Sequence, residues 1–116
     1  MSGNPHAPVR LSESPVRSPE PGLRRQVLAY TRKLMLVRHL MERDWLGILH
    51  SHPHEQLVFV LRGHIRAEMD GVALDARAGD SFVVPGGVEH QARALEESEV
   101  LDVFTPFREE YAEEEA

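Results

Sequence analysis

The residues from which this chain could build chemistry begin at His50-Ser51-His52-Pro53-His54-Glu55-Gln56, directly ahead of the apolar run Leu57-Val58-Phe59-Val60-Leu61 and then Arg62-Gly63. Side chains alternate across a strand, so in an extended chain His50, His52 and Gln56 point to one face. Neutral imidazole is the commonest metal ligand, and two of them two residues apart can reach one ion. An isolated His-x-His pair also suits a histidine-rich surface turn, and a second fragment is what separates the two readings. It runs from Gly79 to His90, with Pro85, Gly87 and His90 at fixed steps after the first glycine. The third place is Leu101-Asp102-Val103-Phe104-Thr105-Pro106-Phe107-Arg108. There Asp102 and Phe104 share one strand face while Leu101 and Val103 take the other. An aspartate on an apolar strand is costly to bury unless it is paired or used. An ion pair with Arg108 or a histidine is one reading of Asp102; a working carboxylate is the other.

Composition limits what these residues can become. The chain has no cysteine and seven histidines, so disulfides, thiolate metal sites and a cysteine nucleophile are excluded. Any metal site must use nitrogen and oxygen ligands. The cysteine-free composition is compatible with the reducing cytoplasm, which is the expected location. A length of 116 residues, 41% apolar and 28% charged, fits one ordinary globular domain. No run approaches the roughly 18 apolar residues of a membrane span, and the first twenty residues lack the apolar core of a secretory signal. A formal net charge of −6 argues against general nucleic-acid binding. The charge is uneven: eight Arg and Lys against four Asp and Glu precede Trp45, and five glutamates fall in the last eight residues. That distribution suggests a basic arm or cavity mouth and a solvated acidic tail.

The elements that must position the candidates read as strands. Residues 1–22 hold five prolines among Ser, Gly and Asn, and are expected to be an arm or linker, disordered or packed along a partner subunit. Over 23–43 two patterns compete. Leu23, Val27, Tyr30, Leu34, Val37 and Met41 recur at helical spacing, whereas Leu34-Met35-Leu36-Val37 is a continuous apolar run between charges; a strand from about Arg32 to Glu42 is preferred. His64 to Met69 alternates strictly, Asp70-Gly71 suits a tight hairpin turn, and Val72 to Asp75 returns. Ser81 to Val84, Glu89 to Leu95 and Glu99 to Thr105 supply further short strands. Such spacing indicates an all-β sandwich or barrel, with the barrel over 23–108 and the acidic tail over 109–116.

The first two fragments together resemble the paired motifs of the cupin superfamily: His-x-His, a few residues, glutamate, six residues, glycine; then glycine, five residues, Pro-x-Gly, two residues, histidine. The resemblance covers roughly residues 30–108 and implies an all-β, single-domain cupin jelly-roll barrel, here with a Pro-rich arm, holding one divalent transition metal (Ni, Zn, Mn, Fe or Co). It implies His50, His52, Gln56 and His90 as the metal ligands. The chain departs from the usual pattern at three places. Gln56 stands where most cupins have glutamate, Ala94 where asparagine often closes the second motif, and Asp44 where glycine usually opens the first. Glutamine in place of glutamate leaves all four ligands neutral, which favours Lewis-acid work or binding of an anionic substrate over redox cycling. His54 shares the ligand face by parity but follows Pro53, and Glu55 faces away.

The terminal string and the His-Ser-His-Pro-His-Glu-Gln string together resemble the KdgF group of pectin-degradation cupins. This resemblance implies linearisation of 4,5-unsaturated uronate monosaccharides left by pectin or alginate lyases. It carries over functional roles for Asp102, Phe104 and Arg108: proton transfer, contact with the sugar ring, and capture of the substrate carboxylate by a planar guanidinium. Trp45 is expected in the core or at the cavity mouth. Arg62, Arg66 and Arg93 are expected to face solvent, and Tyr111 to belong to the tail. A small anionic sugar is the expected partner, and a homodimer the expected assembly, because edge strands of small barrels need cover. Another metal-dependent enzyme of the same fold, a dioxygenase or isomerase, and a non-catalytic sugar-binding module are the alternatives.

Overall fold

The computed structural model describes residues 6–114. Nine strands follow a short 3-10 turn at Leu11–Glu13: β1 (Arg17–Glu20), β2 (Leu23–Tyr30), β3 (Met35–Met41), β4 (Glu55–Arg62), β5 (His64–Met69), β6 (Val72–Arg77), β7 (Ser81–Val84), β8 (His90–Ala94) and β9 (Ser98–Thr105). One helix, α1 (Glu109–Glu113), closes the described chain. The strands form a six-stranded sheet in the order β1-β2-β3-β9-β4-β7 and a three-stranded sheet in the order β6-β5-β8, with every pairing antiparallel. No helix among the described residues is long and apolar enough to cross a membrane.

Period-two burial builds the interior. In β3, Met35, Val37, His39 and Met41 are buried, and in β9, Ser98, Val100, Asp102 and Phe104 are buried. These two strands pair directly, Met35 opposite Phe104 and Val37 opposite Asp102. A first apolar cluster joins both sheets through Leu23, Met41, Val58, Val60, Ile65, Ala76, Ala94 and Val100. A second gathers Val27, Met35, Val37, Phe104 and Tyr111. The hairpin expected at Asp70-Gly71 is present, with positive φ at both residues (51° and 80°). Gly63 ends β4 with φ 96° at a point where an added Cβ would collide with Ser98.

Three sequence expectations need correction. The strand expected at about Arg32 to Glu42 is present as β3 (Met35–Met41), but residues 23–30 ahead of it are a second strand, β2, that pairs with it as a hairpin and not part of a helix. The arm is not free of structure: β1 pairs with β2, and buried Gln26 donates to the carbonyls of Leu11 and Ser14. Residues 1–5 of the arm lie outside the described residues. The acidic tail is not wholly solvated either. Tyr111 is 9% exposed, and Glu114 is tied to Arg25 at 2.6 Å. Residues 115–116 lie outside the described residues.

Candidate metal and proton-transfer site

His50 and His90 face each other across an isolated antiparallel bridge, each backbone N–H donating to the other's carbonyl at 3.0 and 2.8 Å. The loop between β7 and β8 is drawn against the first motif by Gly87 N–H donating to the His52 carbonyl at 2.8 Å. Gly86 permits that approach, since an added Cβ there would sit 2.4 Å from the Pro53 carbonyl oxygen. Thus the Pro85-Gly86-Gly87 turn delivers His90 to His50 and His52. One ring nitrogen of each of the three lies within 4.8 Å of the other two, and the ring centroids of His50 and His90 are 4.4 Å apart.

The tautomers of this triad are set by the main chain. His50 Nδ1 is 2.9 Å from the Ile48 carbonyl, His52 Nδ1 3.1 Å from the His54 carbonyl, and His90 Nδ1 2.8 Å from the Val88 carbonyl. A carbonyl only accepts, so each Nδ1 carries a proton and donates. Each Nε2 is left with a free lone pair, as metal-ligating imidazoles require. Burial, with Arg108 and His90 nearby, holds His52 below the ordinary histidine pKa. Burial also lowers His90, with smaller contributions from His50 and Arg108. Both shifts favour the neutral, ligating form of the ring. The cluster fits a divalent metal ion on these grounds.

Gln56 joins the triad to Asp102. Its amide nitrogen donates to Asp102 Oδ1 at 2.9 Å, and its oxygen lies 3.2 Å from His52 Nε2. Only the NH₂ end can donate to a carboxylate, so the amide oxygen is turned to the histidines. An oxygen and an unprotonated ring nitrogen facing one another without a proton between them suit a shared cation. The other oxygen of Asp102 lies 2.6 Å from His39 Nδ1, and Asp102 is 3% exposed. The two readings of Asp102 are thus combined: it is paired with a histidine, His39, and it lines a cavity.

That cavity, of about 340 Å³, falls within the range of small-molecule sites. Its wall includes His50, Gln56, His90, Asp102, Phe104 and Arg108. His52 stands behind this wall, its ring against His54 and Phe104. Phe104 is only 1% exposed, and its closest role is to underlie Arg108, whose guanidinium sits 5.2 Å over its ring and 4.3 Å over that of Tyr111. Trp45 is half-buried and lines the cavity as well as packing against Gly47. His54 is near but off the wall, and Glu55 is exposed. Arg62, Arg66 and Arg93 are about half exposed and paired with surface carboxylates (48%, 49% and 50%).

Sequence reasoning missed Arg25, His39 and Tyr111, all on the cavity wall. His39 could have been found, because in β3 it shares parity with Val37 and Met41. Arg25 shares parity with buried Leu23 and Val27 in the same way, a signal hidden because β2 was not recognised as a strand.

Comparison with known proteins agrees with this architecture. The cupin domain family matches residues 38–104. The pectin degradation protein KdgF of Dickeya dadantii (strain 3937) is 27% identical over 101 residues, covering 85% of this chain and 92% of that protein. The structure of KdgF from Halomonas sp. superposes with a TM-score of 0.85 at 34% identity, over 90% of this chain and 97% of that one. An RmlC-like cupin from Shewanella frigidimarina NCIMB 400 superposes with a TM-score of 0.88 at 32% identity, over 96% of this chain and 99% of that one.

Proposed function

From the premise that this chain belongs to the cupin family and is related to KdgF, we propose that it is a metal-dependent enzyme that linearises 4,5-unsaturated uronate monosaccharides. The observation that carries the reading is the shared amide of Gln56. It sets a buried carboxylate, Asp102, beside a three-histidine cluster in one cavity that also holds a guanidinium, Arg108.

A divalent ion held by His50, His52, His90 and Gln56 supplies Lewis-acid polarisation of a substrate oxygen when bound. Arg108 binds the substrate carboxylate with its planar fork, placed over the rings of Phe104 and Tyr111. The cyclic substrate is a hemiacetal at C1 and an enol ether across C4–C5. Asp102 takes the proton of the anomeric hydroxyl, C1 becomes an aldehyde as its bond to the ring oxygen breaks, and the electrons of that bond pass to the ring oxygen. The resulting enolate accepts the proton at C4 and becomes a ketone at C5. The proton count and oxidation state are unchanged overall, so no redox partner is required. Asp102 is itself 3% exposed, which keeps most bulk water from the carboxylate that transfers the proton.

The test is the loss of ultraviolet absorbance of the conjugated C4=C5 double bond when metal-loaded protein meets unsaturated galacturonate or its alginate-derived counterpart. The reading requires acceleration over the spontaneous rate. Binding without acceleration indicates a sugar-binding module instead, and oxygen uptake with an iron requirement indicates a dioxygenase.

Cytoplasmic action and self-association are part of the same proposal. Across the outer face of the larger sheet, Leu36, Val103, Leu57 and Val83 are register partners in one row, with Leu101 and Phe59 in the next. Leu57, Phe59 and Val83 are 43%, 41% and 50% exposed, an apolar row that a second copy of this chain would cover.

A further inference from the structure

We propose that Arg25 and His39 are positioning residues for Asp102: Arg25 selects one tautomer of His39, and that tautomer holds the carboxylate which in turn orients Gln56. The proposal rests on the proton-transfer role given to Asp102 above, and neither residue is reached by the motifs that define the rest of the site.

The chain of hydrogen bonds has one direction. Arg25 Nε lies 3.0 Å from His39 Nε2, and a guanidinium N–H only donates, so Nε2 holds the lone pair. Nδ1 therefore carries the proton and donates it to Asp102 Oδ2 at 2.6 Å. Oδ1 receives its own donor from Gln56. A carboxylate 3% exposed thus has one fixed donor on each oxygen, which prevents it from rotating about its own bond.

Arg25 is built to hold this position. It is 8% exposed and stands directly opposite His39 across the β2–β3 pair. Its guanidinium lies 3.8 Å over the ring of Tyr111, and its NH1 donates to Glu114 at 2.6 Å. The C-terminal helix therefore clamps the far end of the same chain of bonds. The Nδ1 atoms of the histidine triad are held separately, by main-chain carbonyls, and Gln56 is where this chain of bonds meets the triad, at His52 Nε2.

Long-range proton–nitrogen spectra of the histidine rings in ¹⁵N-labelled, zinc-loaded protein read the tautomer without any substrate. The expected result is an Nδ1–H pattern for His39, assigned by its disappearance in His39→Asn, and a departure from that single pattern in Arg25→Met, where Nε2 loses its fixed donor; an unchanged pattern in Arg25→Met overturns the role of Arg25. An Nε2–H pattern in the unaltered protein overturns the proposal. Kinetics supply the second arm. Asn can place an amide N–H where Nδ1–H stood, so His39→Asn should keep kcat within several-fold, while His39→Leu should lose about 10–100-fold in kcat with KM nearly unchanged. Equal losses in Asn and Leu variants, or none in Leu, overturn it. If the unaltered protein turns over no unsaturated uronate, the functional reading fails while the spectral arm still decides the tautomer.

Discussion

The two ends of the cavity are held in different ways. At the histidine end, each ring is fixed by a main-chain carbonyl two residues away in sequence, Ile48, His54 or Val88. At the carboxylate end, Asp102 is fixed by side chains from distant strands, His39 on β3 and Gln56 on β4, with Arg25 on β2 and Glu114 after α1 behind them. A site held by its own backbone depends on local turns and tolerates changes elsewhere. A site held by side chains loses its geometry when any one partner is replaced. The comparison separates an end whose rings could hold a metal from an end proposed to do the chemistry, and among the described residues Gln56 is bonded to both.

The largest effect that can break this comparison is at the histidine end. Replacing His50, His52 or His90 by Ala should remove bound metal from a content near one per chain and abolish turnover; metal retained in all three variants would show that the triad is not the binding site. The next effect is at the joint. Gln56→Glu places a second carboxylate against Asp102, so metal should bind more tightly while kcat falls about tenfold or more, from like-charge repulsion beside the working group. Metal titration and the absorbance assay on the same preparation check both halves. Unchanged turnover would mean that the neutral amide is not what tunes Asp102.

A smaller effect is in pH. Because burial lowers the pKa of His52 and His90 below the ordinary value of 6.5, the unfolded chain binds more protons than the folded one below that value. The metal-free protein should therefore lose stability as pH falls from 6.5 through the lowered values, and be insensitive to these two groups above 6.5. Thermal unfolding of the metal-free protein at pH 5.5 and 7.5 reads this, and a higher Tm at 5.5 than at 7.5 contradicts it. The smallest effect on catalysis belongs to the outer face. Phe59→Glu should shift the protein from dimer to monomer in sedimentation, with little change in kcat; a variant that sediments as the unaltered protein would leave that face without its proposed cover.

How much of this was legible in the sequence follows the same division. His50 and His52 could be read from spacing because a His-x-His step is local, whereas His90, forty positions on and joined by one bridge, was reached through the resemblance of the paired motifs. Asp102 could be read because a carboxylate is costly on an apolar strand. Its supports could not be read as a set, because they are assembled by strand order. β9 lies between β3 and β4, so residues more than sixty positions apart become neighbours, and Arg25 is marked only by its alternation with Leu23 and Val27 once β2 is known to be a strand. Tyr111 was hidden for a further reason. A five-residue helix amid glutamates carries too little periodicity to signal the one buried face that packs over the second apolar cluster.

The account stands or falls on the working role of Asp102 beside an intact metal site. The decisive measurement is the initial rate of absorbance loss from unsaturated galacturonate with Asp102→Asn, on protein whose metal content has been matched to the unaltered chain. A fall in kcat of about 10²–10⁴-fold with metal retained is the expected result. Full activity in that variant would contradict the assignment of proton transfer to this carboxylate.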